Sequence, residues 1–118
     1  MSATPQQIRQ WTEDLAADPA SLSFLPLAQA YRDMERRDAA LRLLVRGLER
    51  HPNHVEAHYL LGLLYRDTGQ GTKAFDEWDI ALALAPEHPG ARREIGLIAA
   101  ARGDWAAAVR HLERAQAQ

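Results

Sequence analysis

The stretch that decides the fold is residues 55–88, which read VEAHYLLGLLYRDTGQGTKAFDEWDIALALAPEH. Apolar residues recur there at helical spacing in two blocks, and Gly69 and Gly71 lie between the blocks. A period near 3.6 that is interrupted by glycines predicts two amphipathic helices joined by a turn. Pro86 follows the second block, where it prevents the helix from continuing. Residues 55–88 therefore predict a helical hairpin.

The same pattern recurs on both sides of this hairpin at one constant offset. The tripeptide Tyr-Arg-Asp at residues 31–33 returns at residues 65–67, and Pro52 returns as Pro86. Small residues share the offset at Ala28, Gly62 and Gly96 and at Ala40, Ala74 and Ala108. One hairpin cannot bury its apolar face alone, so we expect stacked copies that share a continuous core.

The offset divides the chain into an N-terminal capping segment, residues 1–20, and three repeats, residues 21–54, 55–88 and 89–118. Thr4 suits the N-cap of a helix in the capping segment, with Pro in the first turn and Gln at the capping-box position. The helices predicted from periodicity and turn residues span 5–17, 24–36, 38–50, 53–67, 71–84, 88–101 and 104–116.

The repeated unit resembles the tetratricopeptide repeat, a helix–turn–helix unit of about 34 residues. The second unit carries the fullest signature: Leu61, Gly62, Tyr65, Ala74, Trp78, Ala81 and Pro86. It has His58 where a tryptophan is usual, and the third unit departs from the pattern at Arg92 and Ala99. The resemblance covers residues 21–118. It implies an all-α fold, a right-handed α-solenoid of helix–turn–helix repeats with about seven helices.

Composition excludes several function classes. The 118 residues include no cysteine, which excludes disulfides, thiolate zinc sites and a cysteine nucleophile. A net charge of −2 argues against a nucleic-acid-binding surface, because phosphate contacts need a clustered excess of Lys and Arg. No apolar stretch approaches the ~20 residues of a membrane span, and no signal-peptide pattern is present. We therefore expect a cytoplasmic protein without membrane insertion.

No pattern for catalysis or cofactor binding is present, such as a phosphate-binding loop, a dinucleotide fingerprint or a helical zinc-protease motif. The carboxylate pairs at residues 13–14 and 76–77 have polar neighbours and are typical of solvated helix faces. His54 and His58 are one helical turn apart and could share a metal ion. His54 and His88, however, occupy equivalent turns, which favours repeat divergence over a site. We predict no enzyme, no cofactor and no metal.

The resemblance implies that the first helix of each repeat lines a concave groove, which in this family commonly holds a peptide or helix of another protein. The groove residues predicted here are Leu25, Gln29, Arg32, Tyr59, Leu63, Arg66, Arg93 and Leu97, with Asp33 and Glu56 beside them. An apolar strip flanked by arginines fits an amphipathic partner segment with acidic residues. Alternatively, the strip is buried by the N-terminal helix or by neighbouring chains.

Some members of the family hold a partner's C-terminal carboxylate with Lys, Asn and Arg side chains. The matching positions here are Leu25, Gln29, Leu60, Gly90 and Glu94, of which only Gln29 is similar. Binding of such carboxylate tails is therefore not expected.

The last predicted helix suggests a second kind of contact. It carries Trp105, Val109 and Leu112, whereas solenoids usually end in a polar capping helix. An apolar patch there would be an association site, so a homo-oligomer is a possible state. The main hypothesis is a non-enzymatic scaffold or adaptor that binds a protein partner of unknown identity. The alternatives are a self-associating assembly module and a domain of a larger secretion, envelope or regulatory protein.

Overall fold

The computed structural model describes residues 2–103, and these form six α-helices without any strand. The helices are α1 (Pro5–Ala17), α2 (Phe24–Asp33), α3 (Arg37–Arg50), α4 (Val55–Asp67), α5 (Gly71–Leu84) and α6 (Pro89–Ala101). The all-α solenoid expected from the repeats is confirmed. The seventh predicted helix, 104–116, lies outside the described residues, and so do Trp105, Val109 and Leu112.

Each helix packs against its neighbours in sequence. Helices α2 and α3 form one hairpin, α4 and α5 form the next, and α6 packs on α5. Helix α1 packs on α2, and α2 also contacts α4. The array is elongated, 48 × 25 × 24 Å, as expected for a solenoid in which contacts join adjacent units only. None of the helices in residues 2–103 is both long enough and apolar enough to cross a membrane.

Helix α1 begins with the predicted capping box. The Gln7 backbone N–H donates to Thr4 Oγ1 at 3.1 Å, and the Thr4 N–H donates to Gln7 Oε1 at 2.8 Å. Near the end of α1, Asp14 accepts hydrogen bonds from Gln10 Nε2 and from Ser23 Oγ, both at 2.8 Å. These two bonds, the first being the larger cause, hold the pKa of Asp14 below its usual value. The Ser23 bond ties α1 to the start of α2.

The core consists of two buried clusters. The first contains Phe24, Ala28, Ala40, Leu44, Ala57, Leu60, Leu61 and Leu64. The second contains Ala74, Trp78, Ala81, Ala91 and Ile95. The small residues that the sequence placed between helices are fully buried, with Ala28, Ala40 and Ala74 each 0% exposed. They let the two helices of a hairpin approach closely.

In both hairpins that residues 2–103 complete, one aromatic ring covers a glycine of the facing helix. A Cβ atom at Gly47 would lie 2.1 Å from the Phe24 ring, and one at Gly62 would lie 2.2 Å from Trp78 Nε1. In the first hairpin the ring belongs to the first helix, whereas in the second hairpin it belongs to the second helix. The residue equivalent to Gly62 in the first repeat is Ala28. Ring and glycine have thus exchanged helices between the repeats.

The hairpin turns share a left-handed residue at equivalent positions of the three repeats. The φ angle is 60° at Glu35, 77° at Gly69 and 83° at Gly103. Glycine adopts this conformation readily, but a side chain at φ near 60° costs roughly 1–2 kcal/mol. Helix α2 accordingly ends at Asp33 rather than at residue 36 as predicted, because the chain has already turned at Glu35.

We expect Gly62→Ala to lower the free energy of unfolding by roughly 1–3 kcal/mol, since the new methyl group would overlap the Trp78 ring. Adding Trp78→Leu should remove that penalty. The double variant then has alanine and leucine at these two positions, as the first repeat does at the equivalent Ala28 and Leu44, which are buried together in the first cluster. Urea denaturation of the two single variants and the double variant measures the coupling. If Gly62→Ala lowered the free energy of unfolding by the same amount with and without Trp78→Leu, this packing would be contradicted.

Replacing Glu35 by glycine should raise the free energy of unfolding by about 1 kcal/mol, because glycine relieves the left-handed strain. Glu35→Ala is the matched control: it removes the same side chain but keeps the Cβ atom, so we expect no gain. Denaturant titration of both variants is the measurement. Equal stabilities of the two variants would show that the backbone conformation is not the cause.

Candidate functional site

A groove with a volume of about 290 Å³ lies between α2 and α4, the first helices of two successive repeats. We call it the α2–α4 groove, and its lining residues are Gln29, Arg32, Asp33, Glu56, Tyr59, Leu60 and Leu63. Four of the predicted groove residues, Gln29, Arg32, Tyr59 and Leu63, are therefore brought together. Leu60, which departs from the carboxylate-binding pattern, also contributes to the wall.

The other four predicted groove residues lie elsewhere. Leu25 is half-buried against the first core cluster. Arg66 and Arg93 approach Glu94, and Leu97 is 50% exposed on α6. None of the four lines the α2–α4 groove. The pocket therefore lies between the first two repeats, and a groove that continues along α6 stays a prediction.

The arginines of the first helices form ion pairs between successive repeats. Arg32 Nε on α2 lies 2.9 Å from Asp67 Oδ2 on α4. Arg66 Nη1 on α4 lies 2.9 Å from Glu94 Oε2 on α6, and within α4 its Nη2 lies 3.6 Å from Asp67 Oδ1. We call these contacts the arginine ladder. Arg93 Nε adds a longer contact of 3.9 Å to Glu94.

The ladder changes the charge that the groove presents. The Glu94 side chain is only 9% exposed, and a buried carboxylate requires a charged or hydrogen-bonding partner. Arg66 supplies that partner, and Arg32 is likewise engaged with Asp67. The groove therefore offers less free positive charge than its sequence suggests.

Tyr59 forms a wall of the groove that is held on both sides. Its ring centroid lies 4.9 Å from that of His88, and a Cβ atom at Gly90 would lie 2.6 Å from its Cζ atom. The Tyr59 carbonyl accepts a hydrogen bond from Trp78 Nε1 at 3.2 Å. Both the ring and the backbone of Tyr59 are thus fixed by neighbouring helices.

Two histidines cap helices at equivalent positions. The Nδ1 atom of His54 accepts from the Ala57 N–H at 3.2 Å, and that of His88 accepts from the Ala91 N–H at 3.0 Å. His88 Nε2 also contacts Glu56 Oε1, at the edge of the groove. A histidine at the same place before the first helix of the second and third repeats was the sequence signal for these caps.

His58, on α4, joins the end of the first repeat to helix α5 of the second. Its Nε2 donates to the Pro52 carbonyl at 2.7 Å, and its Nδ1 lies 2.8 Å from Glu77 Oε2 on α5. Burial, and secondly the charge of Glu77, raise the pKa of the Tyr65 hydroxyl on the same helix. Within residues 2–103, no three His, Cys, Asp or Glu side chains are grouped so that they could hold a metal ion.

We expect His88→Ala to destabilise the protein by about 0.5–2 kcal/mol, because the α6 N-terminus loses its side-chain cap. His88→Asn loses the contact with Glu56 but keeps a capping acceptor. We therefore expect it to destabilise the protein less than His88→Ala does. Thermal unfolding monitored by circular dichroism compares the variants. Equal losses in the two would show that the cap at α6 contributes nothing measurable.

The sequence profile of the tetratricopeptide repeat family matches residues 25–79 and 76–118. The chain belongs to the tetratricopeptide repeat family. This membership supports a protein–protein interaction scaffold as its general role, and the repeat fold is in general non-catalytic.

Solved structures show the same fold. A crystal structure of MamA superposes with a TM-score of 0.80 at 24% identity, over 92% of this chain and 64% of that chain. MamA from Desulfovibrio magneticus, residues 41 to its end, superposes with a TM-score of 0.76 at 21% identity, over 92% and 62% of the two chains.

A protein of Pseudomonas putida, described as the probable biofilm formation methyltransferase WspC, is similar in sequence. It is 30% identical over 115 residues, which are 98% of this chain and 26% of that protein. The chain thus spans about a quarter of this relative and somewhat under two thirds of the MamA chains.

Proposed function

We propose that the chain is an adaptor whose α2–α4 groove binds a peptide or short helix of a partner protein. The observation that carries this proposal is the fixed aromatic wall formed by Tyr59, beside the apolar side chains of Leu60 and Leu63. Aromatic anchors that are already rigid lose little conformational entropy when a partner binds. The groove supplies such an anchor and a limited apolar floor.

Charge favours a particular kind of partner. The sequence alone favoured a partner with acidic residues, because three arginines were expected beside the groove. The guanidinium groups of Arg32 and Arg66 are engaged in the arginine ladder, whereas Asp33 is exposed at the groove edge. The geometry therefore supports an apolar segment that also carries a basic residue.

The double variant Tyr59→Glu/Leu63→Glu should abolish capture of the native partner from a host lysate, because two carboxylates would occupy the apolar wall. The matched control is Ile80→Glu/Leu84→Glu on α5, which adds the same charges at exposed apolar positions outside the groove. Both variants are compared with the unmodified chain by affinity capture and by light scattering.

Because Leu63 also packs against both core clusters, a third variant separates binding from folding. Gln29→Trp fills the groove from an exposed position and should also abolish capture. Unchanged capture by the groove variants would overturn the adaptor proposal. A change of mass in light scattering, with partner capture retained, would instead support the self-associating module.

Two broader hypotheses stay predictions. One is that the protein works in the cytoplasm. The other is that this unit serves within a larger secretion, envelope or regulatory protein. The chain covers only part of the length of its relatives, which is compatible with that hypothesis.

A further inference from the structure

A second cavity adjoins the α2–α4 groove. Its volume is about 440 Å³, it lies between the beginning of α1 and helix α2, and its walls include Trp11, Pro26, Gln29 and Asp33. Gln29 and Asp33 also line the groove, so one wall serves both spaces. We call this second space the α1–α2 cavity.

The repeat itself indicates what chemistry suits this cavity. Asp33 is the equivalent of Asp67 in the next repeat. Asp67 receives the guanidinium of Arg32 from the preceding first helix, with Nε and Oδ2 2.9 Å apart. No repeat precedes α2 in the described residues, and there Asp33 has neither a hydrogen bond nor an ion pair from its side chain. The carboxylate position that holds an arginine in the second repeat is thus open in the first.

The surroundings of Asp33 fit the same group. A carboxylate binds guanidinium through two parallel hydrogen bonds, and the flat guanidinium also stacks on aromatic rings. Trp11 is half-buried on α1 and brings an indole ring to the cavity wall. Gln29 adds an amide oxygen that can accept a further hydrogen bond. An ammonium group would use the carboxylate but would lose the planar match.

We propose that Asp33, Trp11 and Gln29 form a binding site for an arginine side chain of the partner protein. The proposal rests on the proposed function, since the arginine would extend from the segment bound in the α2–α4 groove. It adds a specificity element: the partner completes, from outside, the contact that Arg32 makes to Asp67 within the chain. The ladder of the first helices would then continue into the partner.

The test uses the whole chain and a small probe, Nα-acetyl-arginine amide. The indole N–H signal of Trp11, assigned by its disappearance in Trp11→Phe, is followed by nuclear magnetic resonance during titration. We expect a saturable shift, with a dissociation constant of about 1 mM to tens of mM for a single side chain. Nα-acetyl-citrulline amide has the same shape without the charge and should give no saturable shift.

Variants then locate the contact. Asp33→Asn should weaken probe binding by about tenfold or more, since it removes the charge partner. Asp38→Asn is the matched control, because Asp38 is an exposed carboxylate on α3 outside the α1–α2 cavity. Equal shifts with the citrulline probe, no shift with the arginine probe, or undiminished binding to Asp33→Asn would each overturn the proposal.

The two proposals fail separately. The probe titration needs no partner, so a saturable, Asp33-dependent shift supports the arginine site even if Tyr59→Glu/Leu63→Glu does not affect partner capture. Conversely, capture that depends on Tyr59 and Leu63 but not on Asp33 supports the groove and overturns the arginine site.

Discussion

The fold depends on the packing of an aromatic ring against a glycine in the first two hairpins. The rings of Phe24 and Trp78 occupy the space that a side chain at Gly47 or Gly62 would fill. This contact sets the distance between the two helices of a hairpin. In the second hairpin it also positions the indole N–H that binds the Tyr59 carbonyl. The wall of the α2–α4 groove is therefore fixed by the core contact beneath it.

The two faces of the first helices have different roles. Their buried side joins the hairpins through apolar clusters, whereas their outer side joins successive repeats through the arginine ladder. Because Arg66 compensates the nearly buried Glu94, it is committed to structure and contributes little free charge to a partner. These repeats thus keep basic residues on the first helices without presenting a strongly basic groove.

Much of the fold could be predicted from the sequence because its signals are local. Helix α5 spans Gly71–Leu84 as periodicity and turn residues predicted, and the capping box at Thr4 formed as expected. Helix α4 begins at Val55 rather than at 53, because His54 caps it. The pairing of Arg66 with Glu94 could not be predicted. It depends on the rotation and offset of two stacked helices, which periodicity alone does not specify.

The left-handed turn at Glu35 also bears on how stability is distributed between the repeats. In a solenoid each repeat contributes its own stability and an interface with its neighbours, so folding can begin in any unit and spread along the array. The second repeat has glycine at this turn, whereas the first must bring Glu35 into a strained conformation. The strained turn is therefore expected to lower the intrinsic stability of the first hairpin relative to that of the second. Of these two hairpins, we expect the first to open more readily in the native state and its amides to exchange sooner.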